Sequence, residues 1–154
     1  MAADPPLRTI MKKLTLKLLP GDLAVWKVLP GAQMPSFPLE KPGFWSLTWT
    51  GEETSVVSDA EMVPPETTSQ AGWRRFSVIG PLDFSMTGVL ASLAVPLAEA
   101  EIPIFVISTF DTDHILVRKN QVNNAIKALK AAGHEIESGA CGPSAAPATK
   151  KPVQ

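Results

Sequence analysis

WRRFSVIGPLDFSMTGVLASLAVPLAEAEIPIFVISTFDTDHILVRKNQVNNAIKALKAAGHEI, residues 73–136, decides the fold. Its first segment alternates: Trp73, Arg75, Ser77 and Ile79 fall on one side, Arg74, Phe76 and Val78 on the other, as in a half-buried strand. Over Thr87–Ala100 the period changes, and Val89, Leu90, Leu93, Ala94 and Leu97 form one helical stripe. Ser85 or Thr87 is the expected cap of that helix. Pro96 lies inside it, at a cost of about 3 kcal/mol, so a kink or a tertiary compensation is required. Ile102–Thr109 is almost continuously apolar and β-branched, which predicts a central strand buried on both faces. Asp113–Val117 is its hairpin partner. Asn120 is the expected cap of a second helix whose inner face is Val122, Ala125, Ile126 and Leu129, and Gly133 ends that helix in a left-handed stop. A last strand begins near Ile136. The order β-α-β-β-α-β is the ferredoxin-like split motif.

Working outward, residues 14–63 read as a lobe made mostly of strands. Thr15–Leu19 is a short strand closed by the turn signal Pro20-Gly21. Asp22–Leu29, Phe44–Thr50 and Thr54–Ser58 follow, with Ala60–Val63 as a further short strand. Thr50–Val57 and Thr109–Leu116 share an order: threonine, an acidic turn, a small or polar residue, then two apolar ones. The pattern leaves open whether the first lobe is a degenerate copy of the second. The expected organisation is α+β: a flexible arm over 1–13, the strand-rich lobe over 14–63, a linker over 64–71, the βαββαβ lobe over 72–137, and a disordered tail over 138–154.

Composition narrows the function classes. The 154 residues carry 14 basic and 15 acidic side chains, a formal charge of −1, which argues against a large nucleic-acid footprint. Four Trp, six Phe and no Tyr argue against a base-stacking platform. The single cysteine, Cys141, allows no internal disulfide and no four-ligand zinc cage, so a reducing, cytoplasmic setting is expected. No apolar run approaches the roughly 20 residues of a membrane helix, and no secretory signal is read at the start.

The chemistry sits in two turns. The first, Gly80–Gly88, opens a helix whose N–H groups can receive an anion. The second carries Asp111 and Asp113, which can receive a cation. Together they suit a zwitterion such as an amino acid, in a cleft lined by Phe84–Val89 and Ser108–Asp113, with no metal and no cofactor. The plainer roles are clear: turn aspartates usually accept backbone N–H bonds, and Asp83 reads first as a turn or capping residue. Catalytic residues are not expected. Asp113 and His114 are strand neighbours that point to opposite faces. Ser85, Ser92 and Ser108 lack a nucleophile-elbow context. His114 reads as a packed histidine and His134 as exposed. Trp26, Trp45, Trp49 and Trp73 read as core or interlobe packing.

Several ordered blocks resemble a known family. They are Gly80-Pro81-Leu82-Asp83-Phe84 through Gly88, Pro96-Leu97-Ala98-Glu99-Ala100, Ile102-Pro103, and Ile107-Ser108-Thr109-Phe110 with Asp113-His114 and Leu116-Val117. In the first lobe, Leu18-Leu19-Pro20-Gly21 and Trp49-Thr50 with Ser55-Val56-Val57 extend them. The chain resembles the CASTOR-type ACT domains over roughly residues 14–137. The resemblance implies tandem ACT lobes that often dimerise and bind amino acids at the seam between lobes. It implies head-group contacts at Gly88 and Val89, a pocket lined by Thr109 and Phe110, and Asp113 facing a basic ligand side chain. Met86 stands where the arginine sensors of this family carry glutamate, which removes a charged contact to arginine. The candidate ligand-binding set is therefore Asp83, Phe84, Ser85, Met86, Thr87, Gly88, Val89, Ser108, Thr109, Phe110 and Asp113. The expected role is a non-catalytic sensor or regulatory module, alone, as a homodimer or with a regulatory protein partner. The alternatives are an ACT interaction module without a ligand, and a small enzyme using Asp83, Asp111 or Asp113 as acid or base.

Overall fold

A computed structural model describes residues 11–80, 82–83 and 85–138. Cys141 and most of the expected tail lie outside them. The element order is β1 (Thr15–Val28), β2 (Trp45–Trp49), β3 (Thr54–Asp59), β4 (Ser69–Val78), α1 (Val89–Glu99), β5 (Ile104–Ser108), β6 (Asp113–Arg118), α2 (Val122–Ala131) and β7 (Glu135–Ser138). Among the described residues the strands form one sheet in the order β2-β3-β1-β4-β6-β5, with β7 parallel to the start of β1. The architecture is α+β, with two helices and the ferredoxin-like order over the second half.

Pro20-Gly21 is not a turn. β1 runs through it as one strand, and between Leu19 and Leu23 its register against β4 shifts, from Leu19↔Arg75 to Leu23↔Trp73. Pro20 has no N–H to give to a ladder, and Gly21 takes φ +90°, so the pair makes a bulge. Arg74 Nη2 donates to the Leu19 carbonyl at 3.1 Å and satisfies it there. On one edge β1 pairs β7 through Thr15–Leu18 and β3 through Leu23–Val28, while β4 runs along its other edge. One strand therefore belongs to both halves of the chain.

Other boundaries differ from the sequence expectation. Ala60–Met62 is a 3-10 turn, not a strand. Asn120 does not cap α2; a 3-10 turn over Lys119–Gln121 leads into the helix, and no side chain caps it. β5 is an edge strand instead of a central one. Its continuous apolar run reflects contacts on both faces: Ile104 and Val106 pack towards the helices, Phe105 and Ile107 against Trp73 and Leu116. Trp49, expected to pack, is 74% exposed on edge strand β2. The repeated threonine turns are real. Thr50 N–H donates to Glu53 O, and Thr109 N–H to Thr112 O, each at 2.8 Å, and both threonine hydroxyls meet the same carbonyls.

The main core lies between the sheet and the helices. Leu16, Phe76, Val78, Ile115 and Val117 meet Val89, Leu93 and Leu97 of α1 and Ala125 and Leu129 of α2. The opposite face holds a smaller cluster of Leu23, Val57, Trp73 and Leu116. Gly133 ends α2 at φ +94°, as its position predicts.

Pro96 stays inside α1, and tertiary structure compensates it. Without a proline N–H, the Ser92 carbonyl loses its helical donor. His134 Nε2 lies 2.8 Å from that carbonyl and supplies the bond. Its Nδ1 accepts the Leu14 N–H at 3.2 Å, and these two partners set the tautomer, with the proton on Nε2. His134, expected to be exposed, is only 5% exposed because both its partners are buried backbone. The Ser92 hydroxyl accepts Lys12 N–H at 2.7 Å and donates to Gly88 O at 2.6 Å.

Candidate functional site

The connection from β4 to α1 and the β5–β6 turn form the two walls of a cleft. Gly88 is the N-cap of α1 at φ 77°, a left-handed conformation that suits glycine. Ser85 and Thr87 do not cap the helix; no side chain does. The first intrahelical bond runs from Ser92 N–H to Gly88 O at 2.9 Å. The amides ahead of it have no helical acceptor.

The second wall is rigidly held. Thr112 Oγ1 donates to Val78 O at 2.7 Å, which pins the turn to the end of β4. Leu82 N–H donates to Asp111 O at 2.8 Å and ties the two walls together. That crossing requires glycine at position 80: a Cβ there would lie 2.8 Å from Leu82 N and 3.5 Å from Asp111 O.

Between the walls is a cleft of about 190 Å³ lined by Leu82, Asp83, Met86, Val89, Ser108, Thr109, Phe110, Asp111, Thr112 and Asp113. It is smaller than the ~300–1,000 Å³ of drug-sized sites, a scale that fits a small metabolite. Three carboxylates line it and no lysine or arginine does. Ser108 Oγ donates to Asp113 Oδ1 at 2.5 Å, orienting that carboxylate. Asp83 Oδ1 accepts the Ser85 N–H at 2.8 Å, and this bond, then the Ser85 hydroxyl, holds the Asp83 carboxyl below its ordinary range. Phe110 sits at the mouth, 81% exposed.

Asp83, Met86, Val89, Ser108, Thr109, Phe110 and Asp113 thus share one cleft, as their order in the sequence suggested. Ser85, Thr87 and Gly88 flank it without lining it, and Phe84 lies outside the described residues. The lining is drawn from the second half of the chain alone. Thr112 lies within the Ser108–Asp113 wall and Leu82 within the Gly80–Gly88 turn, though neither was singled out as a ligand-binding residue. In the matching first-half turn the residue after Glu53 is Thr54, where the second half has Asp113 after Thr112.

The residue after Asp113 faces the other side of the sheet. His114 is packed, as expected, at 8% exposed. Burial, then the charge of Arg75, lowers its pKa from 6.5, against a smaller raising effect of Asp113. As pH falls through 6.5 the unfolded chain takes up this proton before the folded one does. Stability from this group is therefore present above 6.5 and lost on acidification towards the folded value. Denaturation midpoints measured from pH 7.5 down to 5, roughly the histidine range, should decline, and His114→Phe should flatten the decline.

Comparison with known proteins places the chain. The ACT domain sequence profile matches residues 68–131. Human "cytosolic arginine sensor for mTORC1 subunit 1" is 39% identical over 84 residues, 49% of this chain and 26% of that protein. The match therefore spans about a quarter of that relative's length. The crystal structure of protein Atu0741 from Agobacterium tumefaciens superposes with a TM-score of 0.77 at 32% identity, covering 87% of this chain and 99% of that one. The ligand-free regulatory subunit of aspartate kinase from Thermus thermophilus shares the fold, with a TM-score of 0.53 at 14% identity, over 79% and 99% of the two chains.

Proposed function

The chain belongs to the ACT domain family, and from that premise we propose that it is a non-catalytic regulatory module that binds a small amino acid or similar zwitterion in the cleft beside Gly88. The supporting observation is that Val89, at the open N-terminus of α1, and Asp113, held by Ser108, line one small cleft. The ligand's carboxylate rests on the first amides of α1, where an anion gains about 0.3–1 kcal/mol, more when partly buried. Its ammonium group or cationic side chain meets Asp113, with Asp83 and Asp111 adding to the negative field. Met86 and Phe110 give the mouth an apolar rim and no charge. The name of one relative, an arginine sensor, fits this role. On this view the chain has two ACT-like lobes, roughly residues 14–63 and 72–137, which share strand β1, and it acts in the cytoplasm. Ligand binding shifts the equilibrium between arrangements of these elements and so changes association with a partner or a second copy.

A thermal-shift and calorimetric screen against the amino acids tests this. One or a few should raise the melting temperature, and Asp113→Ala should weaken binding by at least about tenfold, the loss of one charge-assisted hydrogen bond. If no amino acid binds at millimolar concentration, the proposal is wrong.

A further inference from the structure

The sheet face turned away from α1 and α2 carries a cluster of hydrogen-bond donors that the cleft does not use. Ser77 is its centre. It pairs with His114 across one strand boundary and with Lys17 across the other. Residues directly opposite share a face, with Cβ atoms about 4.5–5.5 Å apart. Arg75, on the same strand as Ser77, shares that face. Its Nη1 lies 3.2 Å from His114 Nδ1. Arginine can only donate, so Nδ1 accepts and Nε2 carries the ring proton. Among the described residues, that Nε2–H, the Ser77 hydroxyl and the Lys17 ammonium have no hydrogen-bond acceptor or ion-pair partner, and His114 Nε2 is not a sealed atom.

Arg75 is the telling residue. Its guanidinium is partly buried, yet among the described residues no carboxylate comes within ion-pair distance; Asp59 acts on it from farther away and only partly offsets the burial. Partly buried charges are normally paired. Phe44 also flanks Arg75, with its ring centroid 4.3 Å from the guanidinium carbon and 5.2 Å from the His114 ring. Phe44 is fixed from the first half of the chain, with its N–H donating to Asp59 Oδ2 at 3.3 Å. An aromatic wall thus stands over a set of donors of which Arg75 Nη1 has a protein acceptor, His114 Nδ1.

We propose that Arg75, Ser77 and His114, with Lys17 at the edge and Phe44 as a wall, form a second binding site for the carboxylate of a small molecule. The charges around His114 select the ligand class. Arg75 on β4 and Lys17 on β1 are cations. Asp59 on β3 and Glu137, opposite Lys17 on β7, are anions. Asp113 adjoins it in sequence but faces the other side. These four facing charges balance, so the site offers donors without excess positive charge. It favours a singly charged carboxylate over a phosphate dianion.

Proton NMR of the His114 ring in the full chain tests this, with acetate as the probe at constant ionic strength. Acetate should give a saturable shift and raise the ring's titration midpoint, because a bound anion favours the protonated imidazole. Arg75→Gln should weaken acetate binding by at least about tenfold. Ser77→Ala should weaken it less and leave amino-acid binding in the cleft unchanged. The proposal is overturned if the wild type shows no saturable shift. The same follows if folded Arg75→Gln responds equally, or if phosphate binds as well as acetate. An acetate-independent shift that tracks protein concentration, as a second copy's carboxylate would give, also overturns it. Should Arg75→Gln fail to fold, wild-type affinity in Ser77→Ala is sufficient to reject it.

Discussion

Replacing His134 with alanine is expected to destabilise the protein by about 2–4 kcal/mol. The ring makes two bonds to buried backbone: it donates to Ser92 O and accepts from Leu14 N–H. Alanine leaves both groups unpaired, each at about 1–3 kcal/mol when water cannot reach it. Water entering the vacated space recovers part of this, which holds the total below the simple sum. The measurement is a urea denaturation curve with the midpoint moved and the slope unchanged. A double mutant separates this account from simple loss of packing. In Pro96→Ala the helix regains an N–H that can bond Ser92 O. Pro96→Ala should therefore restore about 1 kcal/mol to His134→Ala beyond its effect in the wild type. If the two substitutions are strictly additive, His134 does not substitute for the missing helical bond.

Phe76→Ala is expected to cost about 3–5 kcal/mol. Phe76 is fully buried on β4, facing the core formed with both helices. Domains of this size have about 5–15 kcal/mol to lose, so the variant should be close to its unfolding threshold at body temperature. Phe105 provides the control. It is partly buried on the opposite face of edge strand β5, and Phe105→Ala should cost less than half as much. Equal costs would mean that the sheet's two faces are equally packed, which the burial pattern denies.

These two residues mark what a sequence can disclose. Phe76 was readable because its environment follows from period-2 alternation over Trp73–Ile79. The α2 stripe and the Gly133 stop were readable for the same reason: each is set by neighbours within a few residues. The α1 stripe was readable only in part, because Leu90, expected on the inner face, is 43% exposed while Ser92 and Pro96 are buried beside Val89, Leu93 and Leu97. His134 was not, because its partners Leu14 and Ser92 are remote in sequence and close only after folding. Pro20-Gly21 failed differently. A bulge and a turn call for the same residue types, and what separates them here is the reach of Arg74 to the Leu19 carbonyl. β5 was misplaced because apolar residues on both faces of a strand do not reveal whether a further strand pairs along its edge. The cleft was legible through Asp113, Met86 and Val89, whose spacing puts a carboxylate turn beside a helix start. Leu82 lay within the Gly80–Gly88 turn, but its backbone bond to Asp111, which ties the two walls together, was not legible.

The shared strand β1 limits how a signal can cross this molecule. Bonded along one edge to β4 and along the other to β7 and β3, it denies the halves any rigid sliding or clamshell opening. Torsion about the strand axis remains, and the ladder to β4 is irregular at two places, between Leu19 and Leu23 around Pro20-Gly21 and between Leu23 and Val25. Communication between the halves is then a change in pitch of one continuous ribbon, and the stiffness of that short segment governs how strongly either end feels the other.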